Sequence, residues 1–161
     1  MFPKPHSTSK LIAAILLCQA ASLASGYLAG ASADGWFEQL NKPIWNPPFY
    51  LFAPVWTLLY LLMGFSLWLV WISNAASELR RRAIFLFASQ LLLNFLWSII
   101  FFRWHSPAWA LIDIVLLIVL VTVTIFLFAR ISKPAARLLV PYIAWVCFAA
   151  LLNYSIWSLN S

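Results

Sequence analysis

Five long apolar runs constrain this chain more than any other feature. Runs 11–33, 49–77, 83–102 and 138–158 contain no charged residue, and run 104–129 contains one, Asp113. A helix needs about 20 apolar residues to cross the hydrocarbon core of a bilayer, and each run meets that length. Only 9% of the 161 residues are charged, against about 25% in soluble domains. Barrel strands would show roughly ten-residue segments of alternating polarity, and these runs are apolar all round. The expected fold is therefore an all-α membrane protein, one five-transmembrane-helix bundle over residues 1–161. The connections are short, so neighbouring spans should pack antiparallel. The first run follows Lys4 and Lys10 like a signal peptide, but its length exceeds a typical apolar region of roughly 7–15 residues. A retained helix is expected, with cleavage as the alternative.

The basic residues suggest an orientation. Five spans place Lys4, Lys10, Arg80, Arg81, Arg82, Arg130, Lys133 and Arg137 on one side, and Lys42 and Arg103 on the other. The positive-inside rule then puts the N-terminus in the cytoplasm of a bacterial-type inner membrane. In an outer membrane or an organelle the sides would take other labels. The net charge of +6 reads the same way, as basic loops meeting anionic headgroups. No basic surface is interleaved with aromatics outside the spans, so no nucleic-acid partner is expected. Cys18 and Cys147 both fall in spans and read as small buried hydrophobes. The sequence has no CxxC, no His/Cys cluster and no phosphate loop, so neither a metal nor a cofactor is expected.

Between the first two runs, residues 36–48 read Trp-Phe-Glu-Gln-Leu-Asn-Lys-Pro-Ile-Trp-Asn-Pro-Pro. Proline fixes φ and removes a backbone donor, so no continuous helix can form there. Lys42, Asn46 and Pro47 precede prolines and are pushed out of the α region. The segment should be a stiff aromatic loop, suited to covering something.

Polar residues in spans are costly and usually face the bundle interior. Helical spacing sorts them into rows. Span two carries Trp56, Tyr60, Met63 and Gly64, and span three carries Gln90, Asn94, Trp97 and Phe101. Span four carries Trp109, Asp113 and Leu116, and span five Trp145, Ala149, Leu152 and Asn153. Converging, these rows would line an aromatic, sparsely polar pocket fit for a large flat amphiphile. Two readings of Gln90, Asn94 and Asn153 stand: ligand contacts, or interhelical hydrogen-bond glue worth about 0.6–2 kcal/mol. Asp113 needs a partner, Arg103 or Trp and Asn donors, or else a proton on its own carboxyl. Trp36, Trp68, Trp71, Trp104 and Trp157 lie near span ends and read as an interfacial belt. Gly64, Ala88 and Ser89 are small enough to allow close helix contact, including contact between copies. The chain has neither the rings of charge of a channel nor the inverted repeat of a secondary transporter.

The loop W-F-x-x-L-x-K-P-x-W-x-P-P, the segment Pro54-Val55-Trp56-Thr57-Leu58-Leu59-Tyr60, Gln90 to Asn94 with Trp97, Trp109 to Asp113, and Pro141-Tyr142-Ile143-Ala144-Trp145 together resemble the tryptophan-rich sensory protein/translocator protein family. The resemblance runs from about Leu11 to Trp157. It implies a five-helix bundle, a homodimer, and a pocket closed by the loop after helix one. It implies porphyrins such as protoporphyrin IX and hydrophobic benzodiazepine-type drugs as ligands, with a regulatory or tetrapyrrole-transport role. The pocket positions it implies are Phe37, Pro47, Phe52, Trp56, Tyr60, Asn94, Trp97, Trp109, Leu116, Trp145, Ala149 and Leu152. Phe37 and Pro47 would touch the ligand while Trp36 and Trp45 anchor the loop. No conventional catalytic residue is implied. The alternative role, light-dependent porphyrin degradation, would use Trp56 and Trp145. Two departures matter. No basic residue follows Leu152-Asn153-Tyr154, which removes the family's cholesterol motif, and Phe37 stands where a tyrosine is usual.

Overall fold

The computed structural model describes residues 5–30 and 35–161. Residues 31–33 of the first expected span, and Lys4, lie outside the described residues. Among the described residues there are seven α-helices and no strand: α1 (Pro5–Gly30), α2 (Trp36–Gln39), α3 (Phe52–Trp71), α4 (Ser77–Ser98), α5 (Pro107–Ile131), α6 (Lys133–Leu138) and α7 (Val140–Leu159). A 3₁₀ turn, Phe49–Leu51, leads into α3, and a π-helical turn, Ile99–Arg103, extends α4. Among the described residues, five helical segments are long and apolar enough to cross a membrane: Ser7–Leu28, Phe52–Trp71, Ser77–Arg103, Pro107–Ile131 and Lys133–Leu159. Their outward faces carry large apolar side chains such as Leu23, Phe85, Leu92, Val119, Phe126 and Leu151. An apolar surface of that extent marks contact with lipid, because a soluble monomer rarely shows it.

The helix ends differ from the expected ones for local reasons. The third span begins at Ser77, so Arg80, Arg81 and Arg82 are helical. Charge does not stop a helix, and long basic side chains at a helix end reach the interface. The second helix starts at Phe52 and not at 49, because Pro47 and Pro48 keep the chain extended until the 3₁₀ turn. The fourth starts at Pro107, where a missing N–H costs nothing in the first turn. The last span starts early, at Lys133. The Ser132 hydroxyl caps it, accepting from Ala135 N–H at 3.4 Å. It is stepped at Leu139, just before Pro141.

Helix α1 packs along α3, α4 along α5, and α5 also along α7. The α1–α3 contact is close because of Gly64. A Cβ there would lie 2.9 Å from the Ile15 Cα and 3.3 Å from the Ala14 carbonyl oxygen. Gly64 thus serves a contact inside one chain, as small residues do where membrane helices approach closely. Ser66 donates to the Ala135 carbonyl at 2.8 Å and ties α3 to α6. Phe87 and Phe128 stack at 5.8 Å between α4 and α5. Cys18 is buried as expected, whereas Cys147 is exposed on α7, where a small apolar side chain can face lipid. The main core runs the length of the bundle. A smaller cluster of Phe101, Ala110, Leu152 and Ile156 closes the end under residues 36–40.

Replacing Gly64 by Ala should lower the thermal midpoint of the detergent-solubilised protein, at a cost of about 1–3 kcal/mol for overpacking. Gly26→Ala, where a Cβ meets nothing within 4 Å, should be neutral or stabilising. Equal effects of the two changes on circular-dichroism melting would refute this account of the α1–α3 contact.

Candidate functional site

The centre of the bundle holds a chain of buried hydrogen bonds across three helices. Tyr60 on α3 donates its hydroxyl to Asn94 Oδ1 on α4 at 2.6 Å. Asn94 Nδ2 donates to the Tyr142 hydroxyl on α7 at 2.9 Å. Tyr142 in turn donates to Gln90 Oε1 at 2.8 Å. One turn nearer the loop, Trp97 Nε1 donates to Asn153 Oδ1 at 3.0 Å, and Asn153 Nδ2 donates to the Pro107 carbonyl at 2.8 Å. The glue reading of these amides therefore has a definite geometry. Among the described residues, Gln90 Nε2, Asp113 Oδ2 and Trp145 Nε1 are buried without a hydrogen-bond partner. The ion pairs among the described residues are Arg81–Glu78 and Arg82–Glu78, so Arg103, one of the partners open to Asp113, does not pair with it.

Trp56, Asn94, Trp97, Ile114, Leu117, Val146 and Ala149 surround a small cavity beside this chain. Its volume is about 10 Å³, room for roughly one water. Two aromatic columns connect this region to the loop. In one, Trp45 of the loop meets Phe148 edge-on at 5.8 Å, Phe148 meets Trp145 at 5.2 Å, Trp145 meets Trp56 at 6.5 Å, and Trp56 meets Tyr60 at 5.8 Å. Phe52 also meets Trp145, at 6.1 Å. In the other, Trp36 and Phe37 meet Phe101 edge-on at 5.9 and 6.1 Å, and Phe101 stacks on Trp97 at 5.2 Å.

The loop is held shut from both sides. Asn41 N–H donates to Asn160 Oδ1, and Asn160 Nδ2 donates to the Asn41 carbonyl, both at 2.9 Å. Trp36 stacks on His105 at 4.4 Å. His105 has a positive φ of 50°, a left-handed conformation that His adopts more readily than most residues. Phe37 also meets Phe102 at 5.5 Å. The π turn sets that contact, since its wider winding brings the neighbouring Phe101 and Phe102 rings to 4.8 Å. Lys42 Nζ donates to the Glu38 and Leu40 carbonyls and lies 4.7 Å from the Phe37 ring, fixing the loop's own shape.

The structure brings most of the expected pocket residues together. Trp56, Asn94, Trp97 and Ala149 line the cavity. Tyr60, Phe52 and Trp145 stand behind Trp56 or beside it. Leu152 and Phe37 pack at the loop end, and Pro47 is half-buried within the loop. Trp109 and Leu116 are not brought in: they are 66% and 53% exposed on the outer face of α5. The buried stripe of α5 is Ala110, Asp113, Ile114, Leu117, Val121, Thr124 and Phe128. Trp109 and Leu116 each lie one residue, about 100°, off that stripe. Of the belt tryptophans, Trp104 and Trp157 are exposed, while Trp68 Nε1 donates to the Ser7 carbonyl at 2.9 Å. Trp36 does more than mark an interface, being part of the loop's seat. Tyr142, Ile114, Leu117 and Val146 also stand at the site, outside the rows of polar and aromatic residues that spacing picks out. Tyr142 is within reach of spacing, lying three residues before Trp145 on the same face.

Two comparisons bear on this arrangement. The TspO/MBR family model matches residues 14–158. The chain is 44% identical over 161 residues to the tryptophan-rich protein TspO of Chlorobaculum tepidum, covering 94% of this chain and 99% of that protein. It is 41% identical over 152 residues to the tryptophan-rich protein TspO of Archaeoglobus fulgidus, covering 94% and 97%. It is 39% identical over 140 residues to the translocator protein of Sus scrofa, covering 84% and 83%.

Asn160→Ala removes both bonds to Asn41. Amides of residues 36–46 should then exchange faster by a factor reflecting about 1–2 kcal/mol, while α4 and α5 amides keep their protection. Unchanged loop exchange would show that the aromatic contacts alone hold it shut.

Proposed function

The chain belongs to the TspO/MBR family of multi-pass membrane proteins, and from that premise we propose that it is a receptor for porphyrins, protoporphyrin IX above all, and for benzodiazepine-type ligands. The observation that carries this reading is the pair of aromatic columns that frame a cavity beneath a latched loop. A ligand pocket for a molecule of that size spans roughly 300–1,000 Å³, so entry requires residues 36–48 to lift and the rings of Trp56 and Trp145 to part. A flat aromatic ligand replaces the ring contacts that opening removes. Trp145 Nε1, buried with no partner among the described residues, supplies a donor for a carboxylate or carbonyl oxygen of the ligand. Asn94 offers little by itself, because Tyr60 and Tyr142 occupy its oxygen and nitrogen.

The proposed biological role is regulatory or in tetrapyrrole transport. The basic ends of α1, α4 and α6 support a cytoplasmic N-terminus, and two copies would pair as a homodimer. Sterol is not among the proposed ligands, because Leu152-Asn153-Tyr154 is followed by no basic residue.

The Trp56–Trp145 contact supports a second reading, light-dependent porphyrin degradation. Excited porphyrin would react with dioxygen, and the adjacent indoles would supply electrons.

Protoporphyrin IX should quench tryptophan fluorescence saturably at micromolar concentration. Trp145→Phe or Trp56→Phe should weaken binding by about three- to tenfold, the worth of one aromatic pair. Absence of saturable quenching would refute the receptor reading. Under illumination, a new absorbing product whose rate falls in the double Trp56→Phe/Trp145→Phe protein would favour degradation. An unchanged rate would argue against it.

A further inference from the structure

Away from the loop, at the basic end of the bundle, α4 and α5 form an open groove of about 600 Å³ lined by Glu78, Arg81, Arg82, Phe85, Leu86 and Leu127. Glu78, Arg81, Arg82 and Phe85 follow the spacing i, i+3, i+4, i+7 and so share one face of α4. The three adjacent arginines are not equivalent. Arg80 turns back, its Nη1 donating to the Ser73 carbonyl at 2.7 Å and capping the α3–α4 connection. Arg81 and Arg82 point outward, with side chains 79% and 71% exposed, each engaging Glu78 through one nitrogen. Five N–H donors per guanidinium leave most of both forks for another anion. On α5, Arg130 lies three residues beyond Leu127, on the same face and toward the same end. Within the groove's lining one acid therefore stands against two guanidinium groups. Directly beneath them, toward the bundle's middle, the floor is apolar: Phe85 is 70% exposed, with Leu86 and Leu127 beside it.

We propose that this groove is a binding site for one anionic phospholipid, with its phosphate between Arg81 and Arg82 and an acyl chain laid along Phe85, Leu86 and Leu127. The order of chemistry along the groove carries the assignment. Cations sit at the helix ends and hydrocarbon begins one turn deeper, the order in which a phospholipid presents phosphate and chain. Basic pockets between membrane helices bind anionic headgroups on this principle. The charge balance selects against a zwitterionic lipid, whose choline would face the guanidinium groups. Glu78 acts as a positioning residue that holds the two forks side by side. The site is separate from the loop and the aromatic columns, which lie at the other end of the bundle.

Native mass spectrometry of the detergent-solubilised protein, titrated with phosphatidylglycerol or phosphatidylcholine, tests this directly. Phosphatidylglycerol should occupy one saturable site with a preference of about thirty-fold, from two basic side chains close to a headgroup. R81Q/R82Q should abolish that preference, while R137Q, at the same end but outside the groove, should keep it. Phe85→Ser should weaken both lipids. In the unaltered protein, raising salt should weaken phosphatidylglycerol binding and leave phosphatidylcholine unaffected. Equal affinity for the two lipids, or a preference that survives R81Q/R82Q, would overturn the proposal. So would a change in the number of chains per particle with lipid binding unaltered, which would make the groove a contact between copies.

Discussion

The hydrogen-bond chain Tyr60–Asn94–Tyr142–Gln90 is the contact on which the rest of the bundle depends. Hydrophobic burial does not hold membrane helices together, since lipid tails are as apolar as leucine. Specificity must come from close packing and from polar groups with nowhere else to go. Asn94 sits where α3, α4 and α7 meet and uses both ends of its amide. Any rotation of one helix about its axis would strand a buried hydroxyl or amide in an apolar medium. The chain therefore sets the facing of three helices, and Gly64 sets the approach of α1 to α3.

Once those helices are fixed, the aromatic columns follow. Trp56, one turn before Tyr60, must face the same way and meets Trp145, one turn after Tyr142. Trp97, one turn after Asn94, must face Asn153 and Phe101. Phe148, near the middle of α7, and Phe101, in the turn that extends α4, then offer ready seats for Trp45, Trp36 and Phe37. The prolines of the loop matter here because they limit the shapes it can take. Pro43, Pro47 and Pro48 reduce the entropy lost when the loop is seated, so a few ring contacts and two amide bonds suffice.

The bundle was legible in composition, because an apolar run of 20 residues has few alternatives to a spanning helix. Rows of aromatic and polar residues were legible from spacing, and Trp56, Asn94, Trp97 and Ala149 do meet at one cavity. Spacing tells which residues share a face, not which way the face points. Trp109 and Leu116 form a true row with Asp113, yet the row's centre looks outward and only Asp113 is buried. The arginines at 80–82 illustrate the same limit. As a run they give only an orientation signal, and just their place on α4 separates the one that caps a turn from the two that line a groove. The π turn at 99–103 left no mark in the sequence that spacing could read.

The closed loop also shapes what a ligand would have to do. Opening the site breaks edge-to-face contacts at both columns, each worth about 0.5–1.5 kcal/mol beyond area burial, together with the paired Asn41–Asn160 bonds. If the open form is a minor population, the apparent affinity of any ligand falls by that fraction. A ligand overcomes this only by interactions made in the open form alone. An aliphatic molecule regains area but not the ring geometry, and leaves the Trp145 N–H without an acceptor. A flat aromatic ligand with peripheral oxygen restores both. Selectivity at such a site thus comes less from the shape of the closed cavity than from which molecules can replace what the loop and the tryptophans already provide to each other.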